Sequence, residues 1–223
     1  GQGSFGITYL ATDVNLDTQV AIKEYLPAEF AIRTTDSTVR PRSLEVASTL
    51  LDGLDQFLVE ARTLATFRHG NIVRVARFFE AHRTAYMVMD YERGSPLTAW
   101  WNEHGAGVPE ADLVMLLHPL LDGLAHVHRT GVLHRDIKPG NICVRESDGS
   151  LVLLDFGAAR AAVVPAGAMG SIVTPGYAPP EQYDQDGRQA QVRLDEADRR
   201  LRHLHREQQH RPAAHRQAQG HRR

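Results

Sequence analysis

The most informative run in this chain is His134-Arg135-Asp136-Ile137-Lys138-Pro139-Gly140-Asn141, and Asp155-Phe156-Gly157 follows it. Asn141 lies five residues past Asp136, and Asp155 lies nineteen past it. Phosphoryl transfer needs a base to orient the attacking hydroxyl, ligands for Mg²⁺, and cations over the phosphates. This run supplies carboxylates, an amide and a lysine at a spacing that suits all three tasks.

The use of lysine sharpens this interpretation. The chain has 25 lysines and arginines together, and only Lys23 and Lys138 are lysine. Lys23 ends the stretch Val20-Ala21-Ile22-Lys23, and Lys138 lies in the run above. A compact ammonium differs from a planar guanidinium in size, hydration and reach. We therefore predict that both lysines contact the phosphates of ATP.

Bulk composition excludes several function classes. The 223 residues are 42% hydrophobic and carry a net charge of −2, so no nucleic-acid partner is expected. No apolar run reaches the ~20 residues of a membrane span. The single cysteine, Cys143, excludes an internal disulfide and fits a reducing compartment. We expect a cytoplasmic chain, or a cytoplasmic domain of a longer protein that extends upstream of Gly1.

The hydrophobic pattern predicts an α+β fold with two lobes. The first lobe should be a mainly antiparallel sheet with one helix, and the second should be mainly helical. In the first lobe we predict a Gly-rich hairpin and strand over 1–25, an irregular insertion over 26–53, a helix over 54–68, and strands over 71–79 and 85–90. In the second we predict helices over 97–103 and 110–129, and short strands over 141–144 and 151–154.

The glycines at the start of the chain form a second candidate phosphate site. Gly1, Gly3 and Gly6, with Ser4 and Phe5 between them, have the spacing of a loop whose backbone N–H groups approach phosphates. This spacing alone is weak evidence, since dinucleotide-binding folds also carry it. A strand pair and the stretch that ends at Lys23 follow it here, which does not fit a βαβ unit.

Taken together, these motifs resemble the eukaryotic-like serine/threonine kinases of bacteria. The resemblance covers about residues 1–183, with a smaller lobe over 1–91 and part of a larger lobe over 92–183. It rests on the Gly-rich loop, Val20–Lys23, Glu60, the runs at 134–141 and 155–157, and Thr174-Pro175-Gly176-Tyr177-Ala178-Pro179-Pro180-Glu181. It implies the fold of the protein kinases, with ATP and Mg²⁺ as cofactors and a protein as substrate.

The resemblance also implies a role for individual residues. Asp136 would be the catalytic base, Lys138 would neutralise the γ-phosphate, and Asn141 and Asp155 would bind Mg²⁺. Glu60 would hold Lys23 over the α- and β-phosphates; the alternative is a helix glutamate that only faces solvent. The remaining ATP-binding residues would be Ala21, the gatekeeper Met89, and the backbone from Asp90 to Glu92. Ser171, Thr174 and Glu181 would belong to the activation and substrate loop.

The resemblance ends after Tyr183. Residues 184–223 contain ten arginines and six acidic residues, with only four large apolar residues. Such a segment buries too little apolar surface to offset chain entropy. We therefore expect it not to be an integral part of the fold, whether it arose by truncation, frameshift or fusion. We also expect apolar surface to be left exposed on the 110–130 helix.

These observations leave three hypotheses for function. The first is ATP-dependent phosphorylation of serine and threonine hydroxyls in proteins. The second is a non-catalytic nucleotide-binding or interaction module, which the missing part of the larger lobe would favour. The third is a phosphotransferase that acts on small molecules, which the segment from Thr174 to Glu181 disfavours.

Overall fold

The computed structural model describes residues 2–3, 6–104, 107–156, 160–161, 174 and 176–178. Strands dominate the first ninety residues and helices become frequent afterwards, so the predicted α+β architecture is confirmed. One cluster of buried apolar side chains runs through both parts, from Tyr25 and Phe57 to Leu151 and Phe156.

The first lobe is built on a five-stranded antiparallel sheet. Its strands follow the spatial order β1-β2-β3-β7-β6. The elements in chain order are β1 (Gln2–Gly3), β2 (Gly6–Asp13), β3 (Thr18–Tyr25), β4 (Ala31–Arg33), β5 (Val39–Pro41), α1 (Ala47–Leu64), β6 (Val75–Ala81) and β7 (Thr84–Asp90).

The predicted irregular insertion over 26–53 is wrong in two respects. Strands β4 and β5 pair with each other as an antiparallel hairpin, and α1 begins at Ala47 rather than near residue 54. The Ser- and Thr-rich sequence before residue 50 obscured the helix start, and Val46 provides no side-chain cap. Tertiary contacts fix it instead: Leu50 is buried, and its carbonyl oxygen accepts a hydrogen bond of 3.2 Å from the Tyr25 hydroxyl.

A buried carboxylate attaches this hairpin to the sheet. Glu24 is fully buried and accepts hydrogen bonds from the hydroxyls of Tyr9 at 2.8 Å and Tyr86 at 2.7 Å. It also forms an ion pair with Arg33 of β4. Burial opposes ionisation, but the hydrogen bonds, led by that of Arg33, outweigh it and lower the pKa of Glu24. The hairpin therefore supplies the counter-charge of a side chain in β3.

The second lobe contains two helices and several short strands. Within the described residues, β8, β10 and β11 form a three-stranded sheet, and β9 pairs with β12. Both predicted helices are confirmed to within one residue. The elements are β8 (Gly94–Pro96), α2 (Leu97–His104), α3 (Glu110–His128), β9 (Val132–Leu133), a 3₁₀ turn at Pro139–Asn141, β10 (Ile142–Arg145), β11 (Leu151–Leu153) and β12 (Arg160–Ala161).

Helix α3 is buried on one side only. Leu120 and Val127 belong to the core, whereas Met115 is 74% exposed and Val114 is 39% exposed. The expectation of exposed apolar surface on this helix is confirmed. Across the described residues, no helix combines the length and the apolar character needed to cross a membrane.

The turn between β6 and β7 stores a small amount of backbone strain. His82 and Arg83 are its two central residues, with φ angles of 52° and 58°. Positive φ at both positions suits a two-residue hairpin turn, but side chains other than Gly, Asn and Asp adopt it at a cost. The hydrogen bond of 2.8 Å from the Val39 amide to the His82 carbonyl braces the turn.

We predict that Arg83→Gly stabilises the protein. Glycine adopts positive φ without strain, and the relief should exceed its extra entropy in the unfolded chain by roughly 0.5 kcal/mol. Arg40→Gly is the matched control, because Arg40 lies in β5 without positive φ, and we expect it to be destabilising. Urea unfolding measures both variants. An Arg83→Gly variant that is no more stable than the wild type would contradict the assignment of strain to this turn.

Candidate active site

An ion pair between the lobes forms the centre of the site. Lys23 lies in β3, and its Nζ is 2.5 Å from Oδ1 of Asp155, which follows β11. The Lys23 side chain is 9% exposed and that of Asp155 is 49% exposed. Burial lowers the pKa of Lys23, but the charges of Asp155 and Glu60 outweigh it, so the net pKa is raised. Lys23 is therefore a buried, fully charged ammonium.

Glu60 of α1 lies near this pair without joining it. Within the described residues, Lys23 forms an ion pair with Asp155 but not with Glu60, and Oε1 of Glu60 is buried without a hydrogen-bond partner. Burial raises the pKa of Glu60 to about 8; the charge of Lys23 opposes this and that of Asp155 adds to it. The predicted pairing of Glu60 with Lys23 is thus not the arrangement that this structure contains.

Three donors surround the carboxylate of Asp136. Thr174 Oγ1 donates to its Oδ1 at 2.6 Å, and Lys138 Nζ and Asn141 Nδ2 both donate to its Oδ2 at 2.8 Å. Burial raises the pKa of Asp136, but these hydrogen bonds exceed that effect and lower it overall. At neutral pH the group is a carboxylate held in one orientation.

A neutral, buried histidine holds the backbone of Asp136 in place. His134 and Phe156 are both 1% exposed, with ring centroids 4.4 Å apart, so the two rings pack against each other in the core. His134 Nδ1 accepts a hydrogen bond of 3.2 Å from the amide of Asp136. Burial lowers the pKa of His134 to about 4, which keeps the ring uncharged.

Steric crowding explains why one position of the N-terminal loop is a glycine. Gly6 has φ of 155°, and a Cβ built there would lie 1.8 Å from the carbonyl oxygen of Glu24. Only glycine therefore allows β2 to approach β3 at this point. Gly3 lies in β1, whereas Gly1, Ser4 and Phe5 lie outside the described residues.

The predicted adenine-binding residues lie where β3 pairs with the end of β7 and in the segment that follows β7. Ala21 of β3 is directly opposite Met89 of β7, and Met89 is buried. The amide of Asp90 donates to the carbonyl of Arg74 at 3.0 Å, so this donor is used within the protein. The side chain of Glu92 forms an ion pair of 2.7 Å with Arg145.

The predicted activation and substrate loop is described only in part. The Thr174 carbonyl accepts hydrogen bonds from the amides of Tyr177 at 3.1 Å and Ala178 at 3.0 Å, which forms a tight turn around Gly176. Ser171 and Glu181 lie outside the described residues, as does the whole segment 184–223.

Sequence reasoning missed two side chains beside the site. Arg145 was not selected, because an arginine at the end of a short strand carries no motif. Glu92 was selected only for its backbone, and nothing in the local pattern indicated that its carboxylate pairs with a residue 53 positions later. A contact of that sequence separation has no signature in periodicity or turn chemistry.

The oxygen donors present fit a hard divalent cation. Asn141 uses its amide nitrogen on Asp136, which leaves its amide oxygen as the other polar atom of the group. The carboxylate of Asp155 is half exposed although it pairs with Lys23. Carboxylate and amide oxygens are the ligands that Mg²⁺ prefers, together with water and phosphate. Among the described residues no cluster of three or more His, Cys, Asp or Glu side chains exists that would hold a metal by itself.

Comparison with known proteins agrees with this geometry. The family model described as "Protein kinase domain" matches residues 1–195. The chain belongs to the protein kinase family. Members of this family use ATP and typically a divalent metal. The match extends past Tyr183, where the recognisable motifs end, and the proposed boundary there stays a prediction.

Two bacterial kinases are similar to this kinase domain. Serine/threonine-protein kinase F of Synechocystis sp. is 32% identical over 200 residues, which cover 82% of this chain and 37% of that protein. Serine/threonine-protein kinase PknL of Mycobacterium tuberculosis is 36% identical over 149 residues, 64% of this chain and 37% of PknL. The chain thus spans little more than a third of the length of these relatives.

A solved structure supports the same conclusion. The structure titled "PpkA-294 apo form" superposes with a TM-score of 0.71 at 35% identity. The match covers 86% of this chain and 68% of that one. The predicted protein-kinase-like bilobal fold is therefore confirmed.

We predict that Glu60→Gln removes a pH dependence of stability. The folded pKa of Glu60, about 8, lies above its ordinary value of 4.5, so the unfolded chain loses this proton first as pH rises. The free energy of unfolding of the wild type should therefore fall between about pH 4.5 and 8 relative to the Glu60→Gln variant. Each pKa unit corresponds to ~1.4 kcal/mol, and we expect a difference of at least ~2 kcal/mol at pH 8.5.

Denaturant unfolding of the ligand-free proteins at pH 5 and pH 8.5 measures this effect. Asp55→Asn, which alters an exposed carboxylate on the same helix, is the control and should follow the wild type at both values. Equal pH dependence in the wild type and in Glu60→Gln would show that Glu60 is ionised in the folded protein.

Proposed function

We propose that this chain is the catalytic domain of a protein serine/threonine kinase that uses Mg·ATP. The observation that carries the proposal is the carboxylate of Asp136, which Lys138, Thr174 and Asn141 hold in one orientation and in the ionised state. A fixed carboxylate next to a lysine, with the Lys23–Asp155 pair close by, suits phosphoryl transfer to a hydroxyl. Family membership and the names of the relatives support the same conclusion.

Asp136 is assigned the role of base. The hydroxyl oxygen of the substrate forms the new bond to phosphorus as the bond to the leaving oxygen of ADP breaks, and the hydroxyl proton passes to Asp136. The Thr174 hydroxyl and the Asn141 amide orient the carboxylate toward that proton. Lys138 donates hydrogen bonds to both Asp136 and Thr174. From this position it would offset the negative charge of the transferred group.

The remaining polar residues are assigned to nucleotide and metal. Mg·ATP supplies the transferred phosphoryl group, and the cation offsets its negative charge. Asn141 and Asp155 would hold the cation through their oxygens. Lys23 would contact the α- and β-phosphates, and the N–H groups of the loop from Gly1 to Gly6 would contact phosphate oxygens. Ala21, Met89 and the backbone from Asp90 to Glu92 would surround the adenine.

Proteins are proposed as the substrates rather than small molecules. The hydrogen bond from Thr174 to Asp136 supports this proposal, because Thr174 begins the 174–181 segment to which we assign substrate binding. The relatives are named serine/threonine-protein kinases, which agrees with hydroxyl acceptors of that kind. We propose a cytoplasmic location, since Cys143 is a buried free thiol and such thiols suit a reducing compartment.

A non-catalytic nucleotide-binding module is the alternative. One observation favours it: Lys23 pairs with Asp155, and Glu60 has no ion-pair partner among the described residues at the centre of the site. A protein locked in this arrangement would bind nucleotide without transferring phosphate. Binding and turnover measured on the same preparation separate the two functions.

We predict that Lys23→Met weakens ATP binding by on the order of tenfold or more, because it removes a buried charge from the phosphate site. Isothermal titration calorimetry with ATP and Mg²⁺ measures the affinity. Arg77→Met, which removes an exposed cation from β6, is the control and should bind as the wild type does. Equal affinity in the wild type and in Lys23→Met would remove Lys23 from the phosphate site.

We predict that Asp136→Asn lowers kcat by about a hundredfold or more, since the base is lost while the side-chain shape is kept. Transfer of labelled phosphate to a general acceptor protein measures it, and Asp148→Asn in the exposed turn after β10 is the control. Mass spectrometry of autophosphorylated protein should show phosphoserine or phosphothreonine. Predominant phosphotyrosine would contradict the proposed specificity, and full activity of Asp136→Asn would contradict the role of Asp136.

A further inference from the structure

Arg145, the last residue of β10, uses its whole guanidinium group for contacts within the protein. Its Nε and Nη2 donate to the two carboxylate oxygens of Glu92, at 2.7 and 2.9 Å. Its Nη1 donates to the carbonyl of Gly70 at 2.9 Å and to the hydroxyl of Ser150 at 3.2 Å. We call these four residues the Arg145 cluster.

The cluster joins three segments that are distant in sequence. Glu92 lies in the connection between β7 and β8, which links the two lobes and carries the proposed adenine contacts. Gly70 lies in the loop between α1 and β6, on the first lobe. Ser150 lies in the turn between β10 and β11, on the second lobe. One side chain therefore fixes the interlobe connection to both lobes.

Backbone contacts support the same junction from both sides. The amide of Glu146 donates to the carbonyl of Arg93 at 3.0 Å, and Arg145 lies opposite Gly94 in the β8–β10 ladder. On the other side, Asn71 Nδ2 donates to the Leu151 carbonyl at 2.8 Å. The guanidinium of Arg145 lies between these two sets of contacts and connects them.

The charged groups of this cluster are largely shielded from solvent and pair in a bidentate geometry. The side chains of Arg145 and Glu92 are 23% and 16% exposed, and their two parallel bonds form the bidentate geometry that only arginine provides. A second ion pair, between Arg74 and Asp90 at the end of β7, has distances of 3.4 and 3.5 Å with both side chains about half exposed. Exposed pairs of that kind contribute little, so the two pairs form a natural comparison.

We propose that Arg145 is a positioning residue for nucleotide binding, which holds the 90–93 connection in the conformation that the adenine requires and couples it to the loop at Gly70. The proposal rests on the proposed function, in which backbone from Asp90 to Glu92 binds adenine. It adds a residue outside the phosphate-handling motifs that acts on affinity through Glu92. Loss of the cluster would loosen the connection and leave the Asp136 region intact.

The test compares Arg145→Ala, Arg145→Lys and Glu92→Gln with the control Arg74→Ala in the full chain. ATP dissociation constants and KM for ATP should rise on the order of tenfold in Arg145→Ala, with kcat within about twofold of the wild type. Arg145→Lys should recover only a small part, because an ammonium cannot form the bidentate pair. Arg74→Ala should match the wild type in all three quantities.

Hydrogen exchange supplies a readout that does not depend on nucleotide. Amides of 69–73 and 90–94 should both exchange faster in Arg145→Ala and in the milder Glu92→Gln, while those of β2 and β3 stay protected. Unchanged exchange in both segments, or a fall in kcat with no change in ATP affinity, would overturn the proposal. A wild type that binds no ATP contradicts the proposed function alone, and the exchange of these two segments then decides the role of Arg145.

Discussion

The ion pair between Lys23 and Asp155 is the interaction on which the arrangement of the site depends. It connects a strand of the first lobe to the segment after β11 in the second, across 132 residues of sequence. A buried ammonium is costly unless a carboxylate compensates it, so each partner constrains where the other lobe lies. Glu60, buried beside this pair without joining it, retains its proton to higher pH. The charges of Lys23, Asp155 and Glu60 are therefore coupled. Because these residues lie in β3, after β11 and in α1, the coupling links the positions of the two lobes and of α1 to the protonation of the site.

The polar groups around Asp136 keep its carboxylate ionised. A carboxylate that is partly removed from water would tend to take up a proton, and three donors prevent this. His134 is uncharged and packs against Phe156, and its ring accepts a hydrogen bond from the amide of Asp136. The backbone at Asp136 is therefore attached to the buried core. The three hydrogen bonds fix the orientation of the Asp136 carboxylate and keep it ionised at the same time.

Much of this arrangement was readable from sequence, and the reason is local spacing. Asp136, Lys138 and Asn141 lie within six residues on one turn, so their proximity follows from chain geometry alone. Helices α2 and α3 were predicted because their apolar positions recur at the helical period. The start of α1 was not, since the contact of Leu50 with Tyr25 decides it and the preceding Ser and Thr residues resemble a loop. The ion pair of Glu92 with Arg145 was not predicted for the same reason, because it joins residues that only the folded chain brings together.

The buried carboxylate of Glu24 has a consequence for the hairpin formed by β4 and β5. That hairpin lies outside every motif of the site and, by its Ser- and Thr-rich sequence, looks like a dispensable insertion. Yet Arg33 is the cation that balances Glu24, and Glu24 is the immediate neighbour of Lys23 along β3. A shortened chain without the hairpin would leave the buried charge of Glu24 without its cation, one position along β3 from Lys23. Loss of the hairpin would therefore be tolerated only if residue 24 also became neutral.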